Sequence, residues 1–226
     1  LKANDNWQQL LNNATRWPVG GVTSQAGFFE RWVKPFLKKD KKVCVIISDA
    51  FRYEIGQELL SLICQEDRYT AEMDEALAML PSYTQMGMAA TLPHKELAIA
   101  ENNSGCVLVD GQSSQGKANR DKILEKAISG GATAIKAEDL IKLKNDECRT
   151  LFKEHSVVYV YHNRIDATGD KRETEDQVFE AVEETLEELI KLIKKLTGAN
   201  ASNLLVTADH GFIYQNRPVD ESDFAG

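Results

Sequence analysis

Acidic side chains follow three of the strands that the sequence predicts, at the point where each strand ends. They are Asp49 after Val43–Ile47, Asp166 and Asp170 after Val157–Tyr161, and Asp209 with the adjacent His210 after Leu204–Thr207. The carboxyl ends of parallel strands meet at one edge of a sheet, so we expect these side chains to converge. Four carboxylates and a histidine brought together would repel one another unless cations lay among them. The sequence therefore predicts a metal site at this edge.

The types of donor atom narrow the choice of metal. Carboxylate oxygens and an imidazole nitrogen suit Zn²⁺ or Mn²⁺, and suit Mg²⁺ less well because of the imidazole. Of the other histidines, His162 is the one that would replace a missing ligand. A single aspartate at a strand end is weak support, because Asp is a common helix N-cap, and capping explains Asp49 alone equally well. Asp110 also follows a predicted strand, but its neighbours are loop residues, so it is only a secondary candidate for a metal ligand.

A candidate nucleophile lies in the Pro-Ser-Tyr-Thr segment at 81–84. Thr84 is predicted to begin a helix, where free backbone N–H groups bind anions, and a metal-bound hydroxyl loses its proton readily. Arg52, three residues after Asp49, could hold phosphate oxygens with its planar guanidinium. Taken without the other motifs, Thr84 is equally well explained as an N-cap, and Arg52 as an exposed side chain in a first helical turn.

Alternating strands and helices must position these residues. Val43–Ile47 and Val157–Tyr161 are continuous β-prone runs, as in strands that are covered on both faces. The alternation predicts an α/β fold with a mostly parallel sheet and helices on both faces. The predicted elements are strands at 43–47, 106–109, 157–161 and 204–207, helices at 51–64, 85–90, 120–128, 137–155 and 173–197, and a further unit through 72–80.

Two other segments are interpreted from their residue types. Residues 1–40 are predicted to form an N-terminal helical segment, with a helix from about Phe28 that Pro35 ends or kinks. Residues 41–226 are predicted to form the α/β domain. The acidic residues between Glu173 and Glu188 are interpreted as the solvated face of the last helix, because apolar residues keep helical spacing on its other side.

Composition limits the classes of function. The 226 residues are 42% hydrophobic and 27% charged, which is typical of a globular protein. The net charge of −8 argues against a general basic surface for nucleic acid, although it allows a nucleic-acid substrate at one local site. No apolar run approaches the roughly 20 residues of a membrane helix, and no signal peptide is recognisable. Four separated cysteines without a CxxC pair indicate free thiols, and hence a cytoplasmic location.

Four motifs in series resemble the PglZ family, the alkaline-phosphatase-superfamily component of the BREX bacteriophage-exclusion systems. They are ISDAFRYE at 47–54, LPSYTQMGMA at 80–89, YHNRIDATGD at 161–170 and TADHGF at 207–212. The resemblance covers about residues 40–217 and implies an alkaline-phosphatase-like core. Because family members are considerably longer proteins, it also implies that the domain at 41–226 is truncated at its C-terminus.

The resemblance also implies roles for individual residues. It makes Asp49, Thr84, Asp209 and His210 the ligands of one metal, with Thr84 as the nucleophile. Asp166 matches the first ligand of a second metal. Asp170 stands where the wider superfamily has a histidine, and a last histidine expected beyond His210 has no counterpart before Gly226. The second metal site is therefore expected to be incomplete in this chain.

These observations lead to two main hypotheses about function. The first is a hydrolase of phosphate esters that depends on Zn²⁺, or on Mn²⁺ or Mg²⁺. Its substrates would be phosphodiesters, nucleic acid or a nucleotide among them, and its partners other BREX components. The second is a catalytically degenerate scaffold or binding module of a defence complex. A flavodoxin-like nucleotide or receiver domain ranks last, because the chain has no glycine-rich phosphate loop.

Overall fold

Two β-sheets form the framework of the chain. The computed structural model describes residues 2–15, 17, 20–102, 104–169 and 177–213. The strands are β1 (Val43–Ser48), β2 (Leu97–Ile99), β3 (Val107–Val109), β4 (Gln112–Ser113), β5 (Ala132–Lys136), β6 (Val157–His162) and β7 (Leu204–Ala208). The order β5-β6-β1-β7 makes a four-stranded parallel sheet, and β2-β3-β4 make a small antiparallel one. The predicted α/β fold with a mostly parallel sheet is confirmed.

Strand β1 lies at the centre of the parallel sheet and sets the register of its neighbours. Ser48 pairs with His162 of β6 and with Ala208 of β7, so the last residues of these three strands form one row. All six residues of β1 are buried, as expected for a strand covered on both faces. Whatever follows these strands therefore emerges at the same edge of the sheet.

Helices cover both faces of the parallel sheet. They are α1 (Lys2–Asn13), α2 (Lys34–Leu37), α3 (Tyr53–Cys64), α4 (Thr84–Ala90), α5 (Lys117–Ala127), α6 (Ala137–Lys142), α7 (Asn145–Glu154), α8 (Ile165–Gly169) and α9 (Val178–Gly198), with a 3₁₀ turn at Gln25–Gly27 and a π turn at Phe29–Val33. One core joins the sheet to α3, α6, α7 and α9. The other joins it to the Phe29–Val33 turn, α4, β3 and α5. Leu189, Leu192 and Leu196 of α9 are fully buried at helical spacing.

The strand predicted at 106–109 does not belong to the parallel sheet. It is β3, and it pairs antiparallel with β2 and β4. The reason lies in the two-residue loop Asp110-Gly111 between Val109 and Gln112, where φ is 48° and 80°. Positive φ at both positions is the geometry of a tight hairpin turn, and Asp-Gly is a strong signal for it. The chain therefore folds back on itself here and does not cross over to a parallel neighbour.

The other differences from the predicted elements are local. Strand β5 was not predicted, because Ala132, Ala134 and Lys136 are of residue types that are depleted in strands, which gives a weak β signal. The helix predicted at 137–155 is two helices, broken by extended backbone at Leu143 and Lys144. The unit predicted at 72–80 contains only an isolated bridge from Leu77 to Ser24. Helix α9 is described from Val178, and its predicted start at 173–176 lies outside the described residues.

The N-terminal segment packs against the same core as the sheet. Phe28, Phe29 and Val33 are buried with β1 and α4, and Pro35 lies in the first turn of α2, where its missing N–H is tolerated. All four cysteines are free, and three of them are buried. Within the described ranges, no helix combines the length and the apolar character needed to cross a membrane.

Candidate metal centre

Two buried aspartates lie side by side where β1 and β7 end. Asp49 is 3% exposed and Asp209 is 1% exposed. Asp209 Oδ1 accepts a hydrogen bond of 3.1 Å from the N–H of Ala50. Ala50 itself has φ of 59°, a left-handed conformation that costs a non-glycine residue about 1–2 kcal/mol. The turn after β1 is thus held in an unfavourable conformation in which its N–H reaches Asp209.

His210 and Thr84 complete the group. His210 Nε2 lies 3.4 Å from Asp49 Oδ1 and 3.5 Å from Asp209 Oδ2. The same nitrogen lies 3.0 Å from Thr84 Oγ1, at the first residue of α4. Two carboxylates, an imidazole and a hydroxyl from three separate elements therefore converge on one small volume.

Helix α4 reaches this group because it packs directly on the backbone of the residue that follows β7. A Cβ atom added to Gly87 would lie 2.1 Å from the carbonyl oxygen of Asp209, so no side chain fits between the two backbones. Just beyond its other end, the hydroxyl of Tyr159 donates a 2.7 Å hydrogen bond to the carbonyl of Thr91. The glycine in this helix is required for the approach that carries Thr84 to the aspartates.

The electrostatics of the aspartate pair are unfavourable without a cation. Burial raises the pKa of Asp49 to about 8, and the charges of Asp209 and Asp166 add to the rise, whereas His210 opposes it. Burial also raises the pKa of Asp209 to about 6, against hydrogen bonds that favour its ionised form. Asp49 Oδ1 and Asp209 Oδ2 are buried without a hydrogen-bond partner. Ionised, these two oxygens need a positive charge between them.

The donor set fits a divalent metal ion. Donor atoms of Asp49, Asp209 and His210 all lie within 4.8 Å of one another. Two ligands of a tetrahedral metal lie roughly 3.4 Å apart when each is about 2.1 Å from it, which matches the two carboxylate distances from His210. The two oxygens without partners are the ones nearest His210 Nε2. A cation bound here would satisfy both oxygens at once.

Comparison with known proteins identifies the family. The BREX system PglZ alkaline phosphatase-like domain matches residues 28–226. The chain belongs to the PglZ family. The chain is 45% identical over 224 residues to the alkaline phosphatase-like protein BrxZ of Escherichia coli O9:H4 (strain HS), covering 96% of this chain and 26% of that protein. It is 40% identical over 220 residues to the alkaline phosphatase-like protein PglZ of Bacillus cereus (strain H3081.97), covering 96% and 25%. This PglZ chain thus spans about a quarter of the length of these relatives.

The structure brings four of the predicted metal-site residues together and places Asp166 apart from them. Asp49, Thr84, Asp209 and His210 form the group described above. Asp166 lies half-buried on α8, outside the cluster of donor atoms found among the described residues, although its charge acts on Asp49. Asp170 lies outside the described residues, and Asp110 accepts hydrogen bonds from the N–H groups of Lys95 and Glu96, away from the site.

Arg52 borders the site and does not contact its donor atoms. It is the residue before α3, and its guanidinium pairs with Glu54 and stacks on the ring of Phe212 at 4.9 Å from the ring centroid. Its aliphatic stem lies against Gly211, which follows His210 directly. The predicted role of Arg52 in holding phosphate oxygens remains a prediction, and the residue lines the loop that carries His210.

His162 serves as a support for the site and is not a free ligand. It is 4% exposed, its Nδ1 lies 3.0 Å from Ser48 Oγ, and its Nε2 lies 2.8 Å from Glu188 Oε2. Burial lowers the pKa of His162 against these contacts with Glu188, so the neutral ring donates from Nε2 and accepts from Ser48. The carbonyl of His162 also accepts the N–H of Asp49 at 2.9 Å.

The acidic residues between Glu173 and Glu188 were interpreted as a solvated face, and this interpretation is wrong for Glu188. Its carboxylate binds both His162 and Arg164, and its pKa is lowered by those contacts even though burial opposes the shift. Glu188 thus ties the long helix α9 to His162, the last residue of β6. Glutamates in an amphipathic helix are usually solvated, and only the buried histidine that ends β6 could have indicated the exception.

We expect Glu188→Ala to lower the free energy of unfolding by about 1–3 kcal/mol, because it leaves a buried imidazole without its acceptor and removes one of the two carboxylates that pair with Arg164 among the described residues. Chemical denaturation without added metal measures the loss. Glu187→Ala is the matched control, since the exposed Glu187 pairs with the exposed Lys191, and it should change stability by no more than about 0.5 kcal/mol. Equal losses in the two variants would contradict the supporting role of Glu188.

Proposed function

We propose that this PglZ chain forms the centre of a metal-dependent phosphohydrolase that cleaves phosphate esters, phosphodiesters above all. The observation that carries the proposal is the convergence of Thr84 Oγ1 and His210 Nε2 at 3.0 Å beside two buried carboxylates. A hydroxyl held next to such a group is the arrangement of an activated nucleophile. The alkaline phosphatase-like relatives in BREX systems support a phosphatase-like role in phage defence.

Each residue of the group has a separate task in this proposal. Asp49 and Asp209 supply the negative charge that holds the cation, and His210 supplies a neutral nitrogen ligand. When bound, the metal lowers the pKa of the hydroxyl it contacts and offsets the charge that develops on the phosphate oxygens. The hydroxyl of Thr84 would give up its proton to solvent, and Oγ1 would attack phosphorus. A new phosphorus–oxygen bond would form as the bond to one ester oxygen breaks, and that oxygen would take up a proton and leave as an alcohol. Water would then attack the same phosphorus, releasing a phosphate monoester from a diester substrate and restoring the Thr84 hydroxyl.

The remaining predicted residues extend the site. Asp166 and Asp170 would hold a second cation that steadies the leaving oxygen or activates the water. Arg52 would hold phosphate oxygens with its planar guanidinium. We propose Zn²⁺ as the metal, with Mn²⁺ or Mg²⁺ as alternatives. A locally positive centre in a protein of net charge −8 would attract phosphate to this one place.

The setting of the reaction is also a proposal. Other BREX components are the proposed protein partners, and nucleic acid or a nucleotide is the proposed source of the phosphodiester. Three buried free thiols and one exposed free thiol are typical of a reducing compartment, so we propose a cytoplasmic location.

A catalytically degenerate scaffold is the second candidate function. The sequence favours it at one point: Asp170 stands where the wider superfamily has a histidine. Such a scaffold would keep the fold and the first group of donors and would lack a working second metal site.

Metal content and diester hydrolysis separate the two functions. The intact protein is loaded with Zn²⁺ or Mn²⁺, its bound metal is measured by elemental analysis, and its hydrolysis of a chromogenic phosphodiester is followed. We expect Asp209→Ala to lose both bound metal and activity. Asp110→Ala is the matched control at a strand end away from the site, and it should keep both. A wild-type protein that binds metal and hydrolyses neither diesters nor monoesters would favour the scaffold.

A further inference from the structure

Gln25 connects the N-terminal segment to the metal centre. It is 6% exposed, although glutamine is usually a surface residue. Its side-chain Nε2 donates to the carbonyl of Ala208 at 3.0 Å and to the carbonyl of Asp209 at 2.6 Å. Its Oε1 accepts the N–H of Met79 at 3.2 Å. Every hydrogen-bonding atom of this amide is therefore engaged, two of the three bonds at the end of β7.

The segment around Gln25 is itself fixed to the chain that leads into α4. The N–H of Gln25 donates to the carbonyl of Leu77 at 2.9 Å, and the N–H of Leu77 donates to the carbonyl of Thr23 at 2.8 Å. Leu77 and Met79 lie just before the segment that ends in Thr84. One glutamine thus ties the approach to Thr84 to the backbone of Asp209.

The backbone carbonyl of Asp209 is held in place by two contacts. The amide of Gln25 binds its oxygen, and the backbone of Gly87 packs against the same carbonyl. A carbonyl held in this way fixes the position of its own residue and of the next, and these two residues are Asp209 and His210. The metal donors that follow β7 and the hydroxyl on α4 are therefore separated by a distance that this contact helps to set.

We infer that Gln25 is a positioning residue of the metal centre, which holds the Asp209-His210 pair at the correct separation from Thr84. Gln25 lies before the residues that match the family, which begin at Phe28. The inference rests on the proposed function for the identity of the site. Groups that orient metal ligands typically contribute about 10- to 100-fold to metal affinity, because a misplaced ligand must be moved before it binds.

The test compares Gln25→Glu and Gln25→Met with Gln57→Glu in the intact protein. Gln25→Glu removes the donor and faces two carbonyl oxygens with a carboxylate, whereas Gln25→Met fills the space without an amide. Gln57→Glu makes the same chemical change on the exposed side of α3. Zn²⁺ affinity is measured by competition with a chromophoric chelator, metal-free unfolding by thermal denaturation, and kcat and KM with a chromogenic diester.

We expect both Gln25 variants to bind Zn²⁺ about 10- to 100-fold more weakly than the wild type. At saturating Zn²⁺ their kcat should fall and their KM should stay the same, and Gln57→Glu should match the wild type throughout. A purely structural role would lower the metal-free unfolding temperature and leave Zn²⁺ affinity unchanged in the folded protein, and that result would overturn the inference. If Gln25→Glu does not fold, the Zn²⁺ affinity and kcat of Gln25→Met alone test the positioning role of Gln25.

Asp209→Ala separates this inference from the proposed function. If Asp209→Ala retains Zn²⁺ binding and hydrolysis, the proposed metal centre is wrong, whatever the Gln25 variants do. If Asp209→Ala loses both and the Gln25 variants keep wild-type affinity and kcat, only the positioning role of Gln25 is wrong.

Discussion

Thr84→Ala should reduce kcat for a phosphodiester by roughly 10⁴-fold or more, while bound Zn²⁺ is largely retained. The side chain of Thr84 carries the hydroxyl that lies 3.0 Å from His210 Nε2, and alanine leaves no atom that could form a bond to phosphorus. Asp49, Asp209 and His210 remain as donors for the metal. The variant should therefore keep its bound Zn²⁺ and lose its hydrolytic activity. The measurement is single-turnover hydrolysis of a chromogenic diester at saturating Zn²⁺, with metal content determined on the same samples.

Two matched variants make the Thr84 result specific. Thr84→Ser keeps a hydroxyl at the same position and should stay within about tenfold of the wild type, because a serine oxygen attacks phosphorus by the same step. Ser82→Ala removes an exposed hydroxyl two residues earlier and should leave kcat unchanged. Activity of Thr84→Ala equal to that of the wild type would show that the nucleophile is another group, such as water.

The edge of the sheet at which the site lies could be predicted from the sequence because it follows from strand patterning. Two of the runs that precede the aspartates are fully buried in the structure, and parallel strands in register deliver Asp49 and Asp209 to the same edge. The apolar residues of α9 likewise determined the face that it buries. In each case a repeated pattern of apolar residues within one element predicts which residues are buried, and the structure confirms that burial.

The contacts that position the site could not be predicted, because each joins residues that are distant in sequence. Gln25 and Asp209 are separated by 184 residues, and neither residue type indicates the other. Gly87 looks like any glycine in a short helix until the carbonyl of Asp209 is seen beside it. The antiparallel pairing of β3 was different, since Asp110-Gly111 is a hairpin signal that could have corrected the assignment of that strand.

Asp49→Asn should stabilise the metal-free protein at pH 8 and abolish its stabilisation by Zn²⁺. Burial raises the pKa of Asp49 to about 8 in the folded chain, whereas an unfolded aspartate titrates near its usual value of about 3.9. Between these values the folded state holds the extra proton, so the stability of the metal-free wild type falls as the pH rises from about 4 to 8. Asparagine has no proton to lose, so the variant should lack most of this fall.

The stabilisation by Zn²⁺ is larger than the gain from the Asp49→Asn substitution. Asp49→Asn should therefore be the more stable protein without metal, and the wild type the more stable protein with Zn²⁺. A gain of about 1 kcal/mol for metal-free Asp49→Asn corresponds to roughly 2–4 °C in Tm for a domain of this size. Zn²⁺ at 100 times its Kd should stabilise the wild type by about 2.7 kcal/mol and should not stabilise the variant. Thermal unfolding at pH 5 and pH 8, with and without Zn²⁺, measures all four states.

Asp110→Asn is the control of opposite sign. Hydrogen bonds from the N–H groups of Glu96 and Lys95 lower the pKa of Asp110, so its ionised form contributes stability that is present above the usual aspartate pKa and lost as the pH falls through the lowered value. Asparagine at this position should therefore destabilise the chain slightly at pH 8 and leave the Zn²⁺ effect intact. If Asp49→Asn instead lowers the metal-free Tm at pH 8, Asp49 contributes stability in the folded chain without any cation, and the electrostatic reason for a metal between Asp49 and Asp209 is lost.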